Sequence, residues 1–203
     1  MGTGFEGLAR WLVKTVYRIE RQGCWDSVPA EGGAVLVSNH VSYVDAAIIA
    51  ACAGRPIRFV MDHRIFASKM FGWLFRRLRA IPIAPAKEDG VLKERAFAEV
   101  AAALAQGDLV CIFPEGRLSP TGGLQSFQHG VERIVRETPV PVVPVALHGL
   151  WGSVFSRAKR SAGSTWTDHL RRRVRAVCGT PVAPLAVSCT LLEQRVRALE
   201  EGA

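Results

Sequence analysis

The sequence predicts an α/β domain, and three observations carry that expectation. Short apolar runs of strand length recur at 34–37, 57–60, 108–113 and 141–147, and each runs into a polar or charged turn. Segments with apolar residues at spacings of three and four lie between them, as at 91–106. The 203 residues, 49% of them hydrophobic, suit one such domain with a full core.

Residues 5–21 read as an amphipathic helix. Phe5, Leu8, Leu12, Val16 and Ile19 line one face, and Arg10, Lys14, Arg18 and Arg21 the other, with Trp11 on the flank. A cationic face, an apolar face and an interfacial aromatic describe a helix lying in a membrane surface. A helix packed on the domain's own core shows the same pattern. The chain thus divides into residues 1–22, a membrane-surface helix, and residues 23–203, a single domain.

A loop at 23–33 precedes the first strand. The helix after it begins near Ser42 and is ended by Gly54 and Pro56. The strand at 57–60 leads to His63, read as a loop residue, and to an aromatic-rich helix at 66–78 carrying Lys69, Arg76 and Arg77. Ile81-Pro82-Ile83 suits an edge strand, because proline has no N–H for a second neighbour. The helix at 91–106 places Phe97, Val100, Ala101 and Leu104 on one face and closes at Gly107. A short helix at 127–137 and a basic stretch at 151–175 follow. A last strand at 174–178 and a C-terminal helix at 189–202 complete the reading.

The formal charge is +8 and the isoelectric point about 9.8, which calls for an anionic partner: nucleic acid, an anionic membrane or a phosphorylated ligand. The mean hydropathy of +0.15 is positive for so basic a chain and favours a membrane surface over nucleic acid. Five dispersed cysteines with no Cys-x-x-Cys pair suggest free thiols in a reducing compartment and no zinc site. The N-terminus has no secretory pattern, and no uncharged run reaches the roughly 18–20 residues that span a bilayer.

The chemistry is placed at 35–45, Val-Leu-Val-Ser-Asn-His-Val-Ser-Tyr-Val-Asp. Open α/β sheets carry reactive groups at the carboxyl ends of their strands, where His40 stands. His40 and Asp45 are five positions apart. On one continuous helix they would be rotated by about 140°, so they meet only if the chain turns between them. Ser42 as N-cap, with Asp45 at the third helical position, supplies the turn. A carboxylate on one ring nitrogen leaves the other as a general base. An ordinary capping box beside a loop histidine reads equally well. A second strand ends in Pro114-Glu115-Gly116-Arg117, which brings Glu115 and Arg117 near His40 if the two strands are neighbours.

The order of Asn39-His40-x4-Asp45, Ile81-Pro82-Ile83, Phe113-Pro114-Glu115-Gly116 and Val143-Pro144-Val145 resembles the four-block signature of the lysophospholipid and glycerol-phosphate acyltransferases. The resemblance implies an α/β fold with a mixed central sheet flanked by helices. It implies transfer of a fatty acyl group from acyl-CoA or acyl carrier protein to a lysophospholipid or acyl-glycerol phosphate hydroxyl. It assigns His40 as base, Asp45 as its orienting partner, Asn39, Glu115 and Gly116 to the acceptor, and Val143 and Pro144 to the acyl side. Two departures stand out. The usual second-block arginine is missing, with Arg79 and Lys87 flanking its place, and the third-block arginine, Arg117, comes one position early. Both departures resemble the 2-acyl-glycerophosphoethanolamine acyltransferase domains, and Arg117, Arg79 and Lys87 are the candidates for the acceptor phosphate.

A thioester is already activated, so the implied reaction needs no cofactor or metal. It needs deprotonation, positioning and an oxyanion site, for which the backbone N–H groups at 40–42 are the expected donors. The expected partners are a membrane lipid surface and acyl-CoA or acyl carrier protein, with no nucleic acid. The expected location is peripheral, on the cytoplasmic face. Two other readings are a basic lipid-binding module without catalysis and a thioesterase or lipase. The latter lacks a Gly-x-Ser-x-Gly elbow.

Overall fold

The computed structural model describes residue 7 and residues 13–69, 72–153, 155–158 and 172–202. In chain order the elements are β1 (Arg18–Gly23), β2 (Ala34–Ser38), α1 (Asp45–Cys52), β3 (Ile57–Asp62), α2 (His63–Phe66), α3 (Gly72–Arg77), β4 (Ile81–Ile83), α4 (Gly90–Ala105), β5 (Leu109–Ile112), α5 (Gly130–Glu137), β6 (Val142–His148), β7 (Arg173–Cys178) and α6 (Cys189–Glu201). The strands form one sheet in the order β1-β7-β6-β2-β5-β3-β4. Every neighbouring pair is parallel except β6 and β7, so the sheet is mixed.

β2, β5 and β6 are apolar except for Ser38 and His148 at their ends, because both their faces are covered. Ala34 and Leu36 face a cluster containing Ile48, Ile49 and Cys52 of α1. Val35 and Val37 face the other side, where Phe97 and Val100 of α4, Val131 of α5 and Leu192 and Val196 of α6 pack. Asp89 caps α4 by accepting from Leu92 N at 2.8 Å, and Ser188 caps α6 by accepting from Leu191 N at 3.1 Å. The register sets Val37 opposite both Ile112 and Pro144, so β2 and β5 end nearly level, while β6 runs three residues past Ser38 to His148. Their carboxyl ends open one common edge.

Residues 18–21 are not helical. Arg18–Gly23 pairs in parallel with Arg173–Cys178 over six positions, and the expected boundary between residues 22 and 23 falls inside this strand. The spacing of Val16 and Ile19 imitates a helix, but β7 has an open edge there and backbone pairing decides the conformation. Of the helix before it, Val13 and Val16 pack against the domain's own core. Phe5, Leu8, Arg10, Trp11 and Leu12 lie outside the described residues. The helix expected at 66–78 is two short ones, α2 and α3, with His63 as the first residue of α2. Asp62 caps that turn by accepting from Arg64 N at 2.8 Å. Pro82 lies in the edge strand β4, a position that suits its missing N–H. Lys159, Arg160, Trp166 and Arg171 of the basic stretch lie outside the described residues. The five cysteines are all free thiols.

Candidate active site

The chain leaves β2 at Ser38 and turns through Asn39–Val44 into α1. His40 Nδ1 lies 2.8 Å from Asp45 Oδ2, and Asp45 is fully buried. The same Oδ2 accepts from Val41 N at 2.7 Å and Ser42 N at 2.9 Å, so one carboxylate oxygen ties down three groups of the turn. Burial pushes the Asp45 carboxyl above its ordinary value, opposed by the His40 hydrogen bond and charge and by the two backbone donors. An ionised carboxylate only accepts, so it fixes the proton on Nδ1 and leaves the Nε2 lone pair available. The imidazole is stacked on Phe113 at 4.1 Å between centroids, and its side chain is 21% exposed. The ring is therefore held on one side and open on another.

Asp45 is the first residue of α1 rather than the third, Val44 stands at the N-cap, and the Ser42 hydroxyl accepts only a long bond from Val44 N, at 3.5 Å. Ser42 is instead drawn into an antiparallel bridge with Ser156, its hydroxyl 3.4 Å from Ser153 Oγ. Only the half of the capping box in which the carboxylate reaches back to Ser42 N–H is formed.

Glu115 sits at the end of the neighbouring β5 and is buried. Its Oε1 accepts from His40 N at 2.7 Å, and its Oε2 accepts from Gln125 N and Nε2, both at 3.1 Å. Burial raises this carboxyl, while the bonds from His40 and Gln125 hold it down. His40 O in turn accepts from Ser119 N at 2.7 Å. Glu115 thus anchors the histidine's own backbone instead of presenting a free carboxylate to an acceptor. Gly116 serves the same loop. Its φ is +69°, and a Cβ there would stand 2.5 Å from Gln128 Nε2, which donates to Glu115 O at 3.3 Å. Gly116→Ala is expected to cost about 1–2 kcal/mol from left-handed backbone alone. Losing the Gln128 bond adds to that, and denaturant unfolding measures the sum.

The backbone N–H groups expected as oxyanion donors are occupied: that of His40 by Glu115, and those of Val41 and Ser42 by Asp45. Two carboxylates were needed to hold the turn, and they use the donors that the sequence offered. Asn39 is similarly committed. Its Oδ1 accepts from Leu147 N at 2.8 Å and its Nδ2 donates to Leu147 O at 3.0 Å and Glu200 Oε1 at 2.8 Å. The side chain straps β2 to β6 and α6, and it is buried, away from any acceptor. Val143 is fully buried and Pro144 is buried within β6, so both belong to the core and not to an acyl wall. Arg79 lies before β4 and pairs with Asp108 Oδ2 at 3.1 Å, before β5. Both positions are at the amino ends of the strands, so Arg79 stands away from the His40 turn. Lys87 is exposed in the turn after β4, at the same end as His40. Arg117 is exposed, donates from Nε to Gln125 Oε1 at 2.9 Å, and lines an open recess of about 460 Å³ with Glu115, Leu124, Gln125, Ser126 and Gln128.

Gln125, Gln128 and Glu200 escaped the sequence reading. None lies in a local pattern, and Glu200 is 161 residues from the asparagine it holds. Burial raises the Glu200 carboxyl, with the Asn39 bond opposing. A raised carboxyl stabilises the fold most when protonated, and that contribution is lost as pH rises through the folded value. Glu200→Gln keeps the carbonyl acceptor and removes the titration. The melting-temperature difference, variant minus wild type, is therefore expected to become more positive between about pH 4 and about pH 7.

The fold and site define a mixed α/β protein with a histidine–carboxylate pair at the mouth of its sheet. The Acyltransferase family model matches residues 23–148, and the chain belongs to that family. It is 30% identical over 136 residues to the chloroplastic 1-acyl-sn-glycerol-3-phosphate acyltransferase LPAT1 of Arabidopsis thaliana, covering 66% of this chain and 36% of that protein. It is 31% identical over 111 residues to the lyso-ornithine lipid O-acyltransferase of Pseudomonas aeruginosa, covering 55% of this chain and 41% of that one. The chain thus spans well under half the length of these relatives. The fold matches the 1-acyl-sn-glycerophosphate acyltransferase PlsC of Thermotoga maritima with a TM-score of 0.74 at 22% identity, over 98% of this chain and 78% of that one.

Proposed function

We propose that the protein is an O-acyltransferase working at a membrane surface, on the cytoplasmic face. It moves a fatty acyl group from acyl-CoA or acyl carrier protein to the hydroxyl of a lysophospholipid or acyl-glycerol phosphate. The observation that carries this reading is the 2.8 Å contact between His40 Nδ1 and the buried Asp45, with the ring open at the mouth of the sheet. The names of the relatives, acyltransferases for two different lyso-lipid acceptors, support the substrate class.

His40 Nε2 takes the acceptor's hydroxyl proton as the oxygen attacks the thioester carbonyl. Asp45 stabilises the imidazolium that forms. The tetrahedral intermediate then expels the thiolate, which receives the proton from His40. Glu115 and Phe113 keep the ring from turning away, so the attack geometry is set before substrate arrives. Arg117, on the recess beside the histidine loop, holds the acceptor phosphate, and Lys87 adds positive charge at the same end. The basic surface suits either donor, since CoA carries phosphates and carrier proteins are acidic. No cofactor enters this scheme, because the thioester is already activated.

The test is a panel of lysolipids and acyl-glycerol phosphates, offered with radiolabelled acyl-CoA and acylated carrier protein and read by product chromatography. Transfer to at least one acceptor is expected. Release of free fatty acid with no acylated product would replace this reading with a thioesterase.

A further inference from the structure

The packing of α5 against α6 brings three metal-binding side chains to one spot. His129, at the N-cap of α5, and Glu132, one turn on, share a face of that helix. Cys189 is the first residue of α6. Among the described residues, these three form one group in which a ligand atom from each side chain lies within 4.8 Å of the other two. His129 Nδ1 is 2.9 Å from Glu132 Oε2. The other oxygen, Oε1, accepts from Cys189 N at 2.7 Å, which ties the carboxylate to α6 and leaves Oε2 turned to the ring. Cys189 is buried, and its thiol donates at 3.3 Å to the carbonyl of Gln128, the residue before His129. The His40 site uses none of the three.

The donor set is an imidazole nitrogen, a carboxylate oxygen and a sulfur. Calcium and magnesium take oxygen ligands, so one carboxylate makes no site for them. Zinc accepts all three donors at about 2.0–2.3 Å, which sets tetrahedral ligand atoms about 3.3–3.6 Å apart. Small side-chain rotations bring the observed spread to that spacing, and His129 is exposed enough to make them. Burial pushes the Cys189 thiol up to about 12, and the Glu132 carboxylate adds to it, so the metal-free site keeps the thiol proton. Zinc replaces that proton, which goes to solvent as the zinc–sulfur bond forms. Glu193 places a second negative charge near the sulfur, which favours a cation there.

We propose that His129, Glu132 and Cys189 bind one zinc ion, which staples α5 to α6 and keeps its fourth position for water. The expectation of no zinc site came from the lack of a Cys-x-x-Cys pair. Here the ligands lie on two helices, with Glu132 and Cys189 57 positions apart, and only packing joins them. The ion reinforces a contact already made, since Glu193 of α6 accepts from Phe127 N at 3.2 Å. It also pins the start of α5 directly after Gln128, whose side chain donates to Glu115 O. The inference does not rest on the acyltransferase reading, and its test needs no turnover.

The test is zinc titration of the full chain, without a histidine tag and stripped of metal, in competition with a chromophoric zinc indicator. One zinc per chain is expected. Zinc at a hundredfold above Kd is expected to raise the melting temperature by about 5–10 °C, and magnesium to leave it unchanged. Cobalt(II) is expected to show the charge-transfer absorption of a thiolate ligand, lost in Cys189→Ser and kept in Cys24→Ser, a variant of the more accessible thiol. His129→Ala and Cys189→Ser are each expected to weaken zinc binding by about tenfold or more. Melting temperatures without metal check that the variants fold, and if Cys189→Ser does not, the exposed His129 decides the matter alone. A wild type that binds no zinc at micromolar concentration overturns the proposal. So does wild-type affinity in a folded His129→Ala protein, or a cobalt–thiolate band that survives Cys189→Ser.

Discussion

His40→Ala is expected to lower acyl transfer by on the order of 10²–10⁴-fold while leaving a folded protein. In the proposed mechanism the imidazole accepts the hydroxyl proton at the open mouth of the sheet, and its Nδ1 is already held by Asp45. Its removal leaves Asp45 Oδ2 with two backbone donors, Val41 N and Ser42 N, so the turn keeps most of its fastening. The lost hydrogen bond and the lost stack on Phe113 together cost about 1–2 kcal/mol, which urea unfolding detects. Single-turnover transfer at saturating acceptor separates the two effects. Retained turnover in a folded His40→Ala protein removes the histidine from the mechanism.

Asp45→Asn separates charge from shape. The amide oxygen can take the place of Oδ2 and accept from the His40 ring and from the N–H groups of Val41 and Ser42. The NH2 must then occupy the place of Oδ1, a buried atom with no hydrogen-bond partner among the described residues. A buried donor without a partner costs about 1–3 kcal/mol. That cost is set against relief of the burial that raises the Asp45 carboxyl. The rate suffers more, because the neutral side chain no longer stabilises the imidazolium. A loss on the order of 10⁴-fold accompanies the equivalent change in a serine-protease triad. Turnover should fall with little change in acceptor KM. A KM effect alone would mean that Asp45 acts on binding and not on the base.

The fold was legible where local rules suffice. The strands at 34–37, 57–60 and 141–147 and the helices at 91–106 and 189–202 have clean periods and caps, and each lies within a residue or two of its place. β1 was missed because its exposed edge position leaves only Ile19 half-buried, giving no strand period to read. Of the site, the His40–Asp45 contact was legible because a five-residue separation limits the possible geometry. Arg79 was misplaced because flanking the second block in sequence says nothing about which end of the sheet a residue occupies. Glu115 was expected near His40 only if β2 and β5 were neighbours, and its bond to His40 N was not legible, since it depends on that pairing and its register.

By itself the sequence determined the α/β class, the family signature and the turn that brings an imidazole to a carboxylate, because hydrophobic period, turn chemistry and short separations act locally. Only the tertiary structure decided that Glu115 and Glu200 hold the residues around that turn and that Arg79 stands at the far end. Those outcomes follow from strand order and register, which juxtapose residues 75 and 161 positions apart and which no local pattern encodes.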